Sequence, residues 1–174
     1  MLYYKVAEYS RLIYSRGLTV ANGGNVSMRS GEYMWITPKK RGFRTLGDVK
    51  AYEIIRVPIE DPMRDPRASS ESRMHAEIYK KTNRRAIIHA HPPKARSKLH
   101  RGEIFKVPNR EGVLEEVPHI KYYEPGTEEL AKAVAEAMDE RGIVLMLHHG
   151  VVTAGRTLRE AMLKLELVEL GALI

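Results

Sequence analysis

Ala86-Ile87-Ile88-His89-Ala90-His91, closed by Pro92-Pro93, is the stretch from which the rest of the chain is read. Aliphatic residues lead into two histidines with no charge between them, and two prolines stop the run, as expected of a buried strand. Side chains alternate along a strand, so His89 and His91 share one side while Ile88 and Ala90 face the other. Two imidazoles placed in this way are a ready pair of transition-metal ligands. A third donor is available where the apolar run 143–147 ends in His148-His149-Gly150. Spacing alone leaves His148 and His149 open, because neighbours at a strand end point to opposite sides. A lone histidine is more often a hydrogen-bonded structural residue, and His75, His100 and His119 are read as structural or exposed. Two on one strand face with a third after another strand favour a metal.

Outward from this strand, residues 3–16 place Val6, Tyr9, Leu12 and Ile13 at helical spacing, with Gly17 as the stop. Residues 18–29 form a turn around Gly23-Gly24 that runs into a strand, and residues 32–37 return as its hairpin partner, ended by Pro38. Another strand is expected within 48–57, and the proline-rich, charged stretch 60–70 reads as a surface loop. The spacing predicts a helix over 70–81 that buries Met74 and Ile78. Residues 101–123 are expected to hold short strands and loops. Thr127 is an N-cap with Glu128 and Glu129 in the first turn, where the helix dipole favours acids. Leu130, Val134 and Met138 share a face of that helix, and Gly142 is expected to close it. After the His-His-Gly turn, residues 151–154 continue as a strand. Thr157 with Glu160 forms a capping box that opens a last helix through Leu158, Ala161, Met162, Leu165 and Val168. The succession predicts an α/β fold, a single domain over 1–174 with a central, mostly antiparallel β-sheet flanked by helices.

At 174 residues the chain can bury a core without staples, and the absence of cysteine excludes disulfides and thiolate metal sites. Any zinc must therefore use histidine and carboxylate. No apolar stretch approaches the ~20 residues that span a bilayer, and the N-terminus shows no secretory leader, so a cytoplasmic protein with no membrane association is expected. The net charge of +7 is spread along the chain without a dense basic stripe or interleaved aromatics, which argues against nucleic acid. It suits a small anionic substrate such as a sugar phosphate, or a charged surface of the kind common in proteins from hot environments.

Five fragments recur in a telling order: Gly23-Gly24-Asn25-Val26-Ser27, Ile36-Thr37-Pro38, Ser69-Ser70-Glu71, His89-Ala90-His91 with His148-His149-Gly150, and Gly126-Thr127-Glu128-Glu129-Leu130. In this arrangement the chain resembles the class II aldolase/adducin family over nearly its whole length. The resemblance implies zinc held by His89, His91 and His149, with Mn2+, Fe2+ or Co2+ also acceptable to imidazole ligands. Three histidines leave a coordination position open, as a catalytic rather than structural zinc requires. It implies Glu71 as the acid/base next to the substrate carbonyl, and a phosphate site from Asn25, Ser69 and Ser70. The expected reaction is cleavage of a small phosphorylated ketose, of the fuculose-1-phosphate type, to dihydroxyacetone phosphate and an aldehyde through a metal-stabilised enediolate. A homotetramer with active sites at subunit interfaces is also implied.

Sugar-phosphate 4-epimerisation and dehydration are the enzymatic alternatives on the same scaffold. A non-catalytic adducin-like interaction module is the other class, although such a module has no need of Glu71 with three histidines. The chain departs from the family pattern in three places. Lys39 and Lys40 follow Ile36-Thr37-Pro38, where a small residue and glycine are usual. No tyrosine occupies the segment after the His-x-His strand; Phe105 is near it, and Tyr122 and Tyr123 lie further on. The sequence also stops at Ile174, where longer relatives have a C-terminal extension.

Overall fold

The computed structural model describes residues 1–174. Helix α1 (Leu2–Ser15) leads into a hairpin of β1 (Asn25–Ser30) and β2 (Tyr33–Ile36), and then to β3 (Ile55–Pro58). Helix α2 (Ser72–Lys81), strand β4 (Ala86–Ala90) and helix α3 (Pro93–His100) follow. The short strands β5 (Val107–Pro108), β6 (Leu114–Glu115) and β7 (His119–Ile120) precede helix α4 (Glu128–Ala137). Strands β8 (Ile143–Met146) and β9 (Gly150–Gly155) and helix α5 (Leu158–Gly171) complete the chain.

Seven strands make one sheet in the order β3-β2-β1-β4-β9-β8-β7, with β5 and β6 as a separate ribbon. Every pairing in the large sheet is antiparallel except β7 with β8. The fold is thus α/β with a mostly antiparallel sheet between helices. Strand β4 is central, which explains why Ala86, Ile87, Ile88 and Ala90 all read as apolar. Ile88 and Ala90 pack into a core with residues of α1, α3 and α5, while Ile87 packs on the opposite face with residues of α2 and α4. Both isoleucines are fully buried, so truncating either to alanine costs about 2–5 kcal/mol. His89 shares the parity of Ile87 and therefore points to the α2 side. Asn25 pairs with His89 across the β1–β4 ladder, and residues directly opposite in an antiparallel pair put their side chains on the same face. This register brings a residue 64 positions earlier in the sequence to the histidines.

Several element boundaries differ from the sequence expectation, each for a local reason. Helix α2 begins at Ser72, not Ser70, because Ser69 and Ser70 are held in the preceding turn, where the Ser69 carbonyl accepts from Ser72 N–H at 3.0 Å. Helix α4 ends at Ala137 with Met138 as its cap, and Gly142 instead makes the turn into β8. Its φ is +68°, and a Cβ there would lie 2.3 Å from the Ala154 carbonyl. Within 48–57 the chain makes a 3₁₀ turn at Ala51–Glu53 before a strand that starts only at Ile55. Pro92-Pro93 does more than end β4, since Pro93 opens α3, a helix absent from the sequence expectation. At α5 Thr157 caps the Glu160 N–H as expected, but the Glu160 carboxylate accepts from Arg156 N–H, one residue earlier than a full capping box. No helix is long and apolar enough to cross a membrane.

Candidate active site

His89, His91 and His149 converge at the C-terminal end of β4. One nitrogen of each lies within 4.8 Å of the others, and the Nε2 atoms of His89 and His91 are 3.1 Å apart. Two donors bonded to one zinc at 2.0–2.1 Å in a tetrahedron stand roughly 3.3 Å apart, so this spacing fits a shared metal. His89 Nδ1 is 3.0 Å from the Val151 carbonyl. A carbonyl only accepts, so Nδ1 carries the proton and Nε2 presents its lone pair to the cluster. Burial, reinforced by the neighbouring rings, holds His89 well below the usual histidine value, and burial pushes His91 down to about 3 and His149 to about 4. All three are neutral near pH 7, the form that ligates metal. His149 Nδ1 is buried without a partner. A close set of neutral imidazoles with an orphaned nitrogen fits a divalent transition metal.

The backbone separates the two adjacent histidines. His148 has φ +59°, in the left-handed region that non-glycine residues seldom adopt. Its ring is exposed and lies 6.4 Å from that of His100, whereas His149 turns inward and is 9% exposed. Gly23 makes room on the other side, because a Cβ there would meet His91 Nδ1 at 2.4 Å. The Gly-Gly turn thus admits the His91 ring as a direct neighbour. Of the histidines without sequence support, His100 and His119 are exposed and His75 is fully buried.

Glu71 occupies the N-cap position of α2 and is buried, 6% exposed. Its Oε1 accepts the Gly126 N–H at 3.1 Å, and its Oε2 is buried with no partner. Burial raises its pKa to about 7, against a smaller lowering by the Gly126 N–H. A carboxyl group held near neutrality with one free oxygen can take or give a proton at physiological pH. Gly126 belongs to the Gly126–Leu130 fragment, whose contribution here is to orient Glu71. Thr127 caps α4 as expected, with its Oγ1 accepting from Leu130 N–H at 3.2 Å.

Asn25 is fixed by a relay that sequence reasoning misses. Its Oδ1 accepts from His75 Nε2 at 2.5 Å, which makes His75 Nδ1 an acceptor. Ser27 Oγ donates to that nitrogen at 2.6 Å and accepts from Tyr79 OH at 2.8 Å. Burial pushes His75 down to about 3, so the ring stays neutral as the relay requires. With Oδ1 engaged, the Asn25 amide NH2 remains free. The i, i+4 spacing of His75 and Tyr79 on an apolar helix face is the only available signal.

All seven residues singled out in the sequence line one cavity of about 570 Å³, together with Gly23, Gly24, Lys39, Lys40, Arg41, Arg96, Tyr122 and His148. Ser69 is buried, its N–H bonded to the Thr37 carbonyl at 3.1 Å. Lys40 Nζ donates to the Gly24 carbonyl, and burial lowers its pKa to about 8. Of the three aromatic residues considered after the His-x-His strand, Tyr122 reaches the cavity. Arg41 and Arg96 are cavity cations that the sequence expectation does not name, and for Arg96 it has no helix at 93–100 to carry it.

The family model for the Class II Aldolase and Adducin N-terminal domain matches residues 4–174. The chain belongs to the class II aldolase/adducin family. Within the family, an L-fuculose phosphate aldolase from Methanococcus maripaludis is 32% identical over 162 residues, which are 91% of this chain and 87% of the relative. A 5-methylthioribulose-1-phosphate/5-deoxyribulose-1-phosphate aldolase from Rhodospirillum rubrum is 30% identical over 94% of this chain and 76% of its own length. The crystal structure of L-fuculose-1-phosphate aldolase from Thermus thermophilus superposes with a TM-score of 0.86 at 30% identity, covering 99% of this chain and 91% of that one. As a class II aldolase-type chain, the protein has a histidine cluster suited to the metal on which that class depends.

Proposed function

We propose that this chain is a zinc-dependent aldehyde-lyase that cleaves a small phosphorylated ketose to dihydroxyacetone phosphate and an aldehyde. The observation that carries the reading is one cavity holding three neutral histidines and, beside them, a buried carboxyl with a free oxygen and a pKa near 7. His89, His91 and His149 would hold the zinc, which would supply Lewis acidity at the ketose carbonyl. The Asn25 NH2, the Ser69 and Ser70 hydroxyls and the Lys40 ammonium bind the substrate phosphate. Lys40 stands where the family usually has a glycine, and its bond to the Gly24 carbonyl leaves two N–H donors for the anion. Glu71, oriented by the Gly126 N–H, gives its proton through Oε2 to the carbon freed by bond cleavage, while the hydroxyl proton of the aldehyde half leaves to solvent, from which Glu71 is reprotonated; condensation runs the same transfers in reverse. The chain acts as one domain, in the cytoplasm, as a homotetramer; family membership supports these assignments.

The test is a panel of ketose 1-phosphates incubated with the purified protein, with and without chelator, scoring dihydroxyacetone phosphate release, epimerisation and water loss separately. Metal analysis and light scattering accompany it. Chelator-sensitive dihydroxyacetone phosphate release with about one zinc per chain is expected. A protein that takes up no metal, or whose turnover ignores the chelator, overturns the reading.

A further inference from the structure

Four cationic side chains line the cavity, Lys39, Lys40, Arg41 and Arg96, against the single carboxylate of Glu71. Three of them have an evident place. Lys39 and Arg41 are exposed and therefore solvated. Lys40 is bonded to Gly24, next to Asn25, and its loop is tied to the Ser69 segment through the Pro38–Ala68 bridge. It belongs with the phosphate-binding residues.

Arg96 is different. It projects from α3, and its Nε is buried without a hydrogen-bond partner. It enters none of the ion pairs of the structure. The carboxylate that does reach α3, Glu169, accepts from the Lys94 and Ala95 N–H groups at 2.9 and 3.0 Å instead. The charge of Arg96 bears on both His91 and His149, whereas that of Lys40 bears on His91 but not His149. An unpaired, partly desolvated guanidinium beside the histidines is unfavourable, and a divalent cation on them adds like charge. An anionic oxygen group relieves both, and the planar guanidinium fork matches a carboxylate or a phosphate.

We infer that Arg96 binds a second anionic group of the substrate, a carboxylate or a phosphate, distinct from the phosphate held by Asn25, Ser69, Ser70 and Lys40. The inference rests on the aldolase reading for one detail. The dihydroxyacetone phosphate half carries no other acidic group, so the second anion belongs to the half released as the aldehyde.

The experiment is calorimetric titration of the metal-loaded protein with two matched pairs of ligands. Glycerol 3-phosphate against 3-phosphoglycerate adds a carboxylate, and ribulose 1-phosphate against ribulose 1,5-bisphosphate adds a phosphate. The wild type is expected to bind the doubly anionic member of at least one pair about tenfold tighter or more, the scale of a charged hydrogen bond. In Arg96→Gln that ratio falls to about threefold or less, and Arg96→Lys lies between. The pair that responds identifies the anion. Ratios near one in the wild-type protein overturn the inference without any variant. A ratio that survives in Arg96→Gln overturns it too, since the extra anion is then held by the metal or another cation. Ratios that collapse in Arg96→Gln while no ketose phosphate yields dihydroxyacetone phosphate leave the Arg96 assignment standing and remove the aldolase reading. Dihydroxyacetone phosphate release with flat ratios does the reverse.

Discussion

His89 and Asn25 face each other across two paired strands, whereas Glu71, Ser69 and Lys40 reach the same cavity from turns outside the sheet. On the strand side, β4 is bonded along both edges, to β1 and to β9, and the His89 ring is further pinned to Val151. On the turn side, the Glu71 carboxylate is held by the one Gly126 N–H and Lys40 by one carbonyl. The rigid side places the His89 and His91 donors 3.1 Å apart, close to the separation that sharing one metal requires. The turn side places groups that must move a proton or meet a ligand. Damage to the first should cost the metal, and damage to the second should cost turnover or substrate affinity with the metal retained.

The largest expected effect is that of His89→Ala, which removes a donor and the bond to Val151 together. Zinc affinity should fall by more than the roughly 10- to 100-fold typical of losing an outer partner of a ligand, and turnover should vanish. Competition with a chromogenic chelator measures it, and unchanged affinity would dissolve the distinction between the two sides. Glu71→Gln comes next, with kcat lower by about 10²- to 10⁴-fold and zinc content unchanged. Loss of zinc in that variant would instead make Glu71 a ligand.

Gly23→Ala is a finer probe, because its Cβ meets the His91 ring. Zinc affinity should drop about 10- to 100-fold, as for a disturbed ligand orientation, although no donor is removed. Lys40→Met should raise KM about tenfold, the value of one charge-assisted hydrogen bond, and move kcat less. A larger effect on kcat would place Lys40 at the reacting carbon.

The last effect bears on stability rather than on function, and is a pH dependence in the metal-free protein. The fold holds His75 and His91 at about 3 and His149 at about 4, whereas in the unfolded chain histidine titrates near ~6.5. Between these values the unfolded chain binds protons that the folded protein refuses. Stability therefore falls as pH drops from about 6.5 toward 4, by up to about 1.4 kcal/mol per pH unit for each histidine. Glu71 acts in the opposite sense: with its folded value raised to about 7, its contribution falls as pH rises from ~4.5 through ~7. Urea unfolding at several pH values, with Glu71→Gln removing the opposing part, reads both. A flat profile would mean that the histidine side is not desolvated.

The elements legible in the sequence are those whose pattern is local. Alternation places His89 and His91 on one face, Thr127 and Thr157 cap helices where expected, and the apolar faces of α2 and α4 show at helical spacing. Residues 93–100 are not legible, because α3 is short, polar and opened by prolines that read equally well as a terminator. Arg96 is hidden with it. The relay from Tyr79 through Ser27 and His75 to Asn25 is also hidden, since it joins a strand and a helix about 50 residues apart.

The sequence by itself determined the alternation of β4, the cysteine-free donor set and the order of fragments that marks the family, since each is carried by neighbouring residues or by composition. Spacing left His148 and His149 open and the family resemblance selected His149; the tertiary structure supplies the physical reason that His149 joins the cluster. The cause is the left-handed turn at His148, a backbone choice that no side-chain pattern encodes. The tertiary structure alone brought Glu71, Lys40 and Arg96 to the histidines and desolvated the Glu71 carboxyl, because burial belongs to the packed sheet, turns and helices together and to no segment alone.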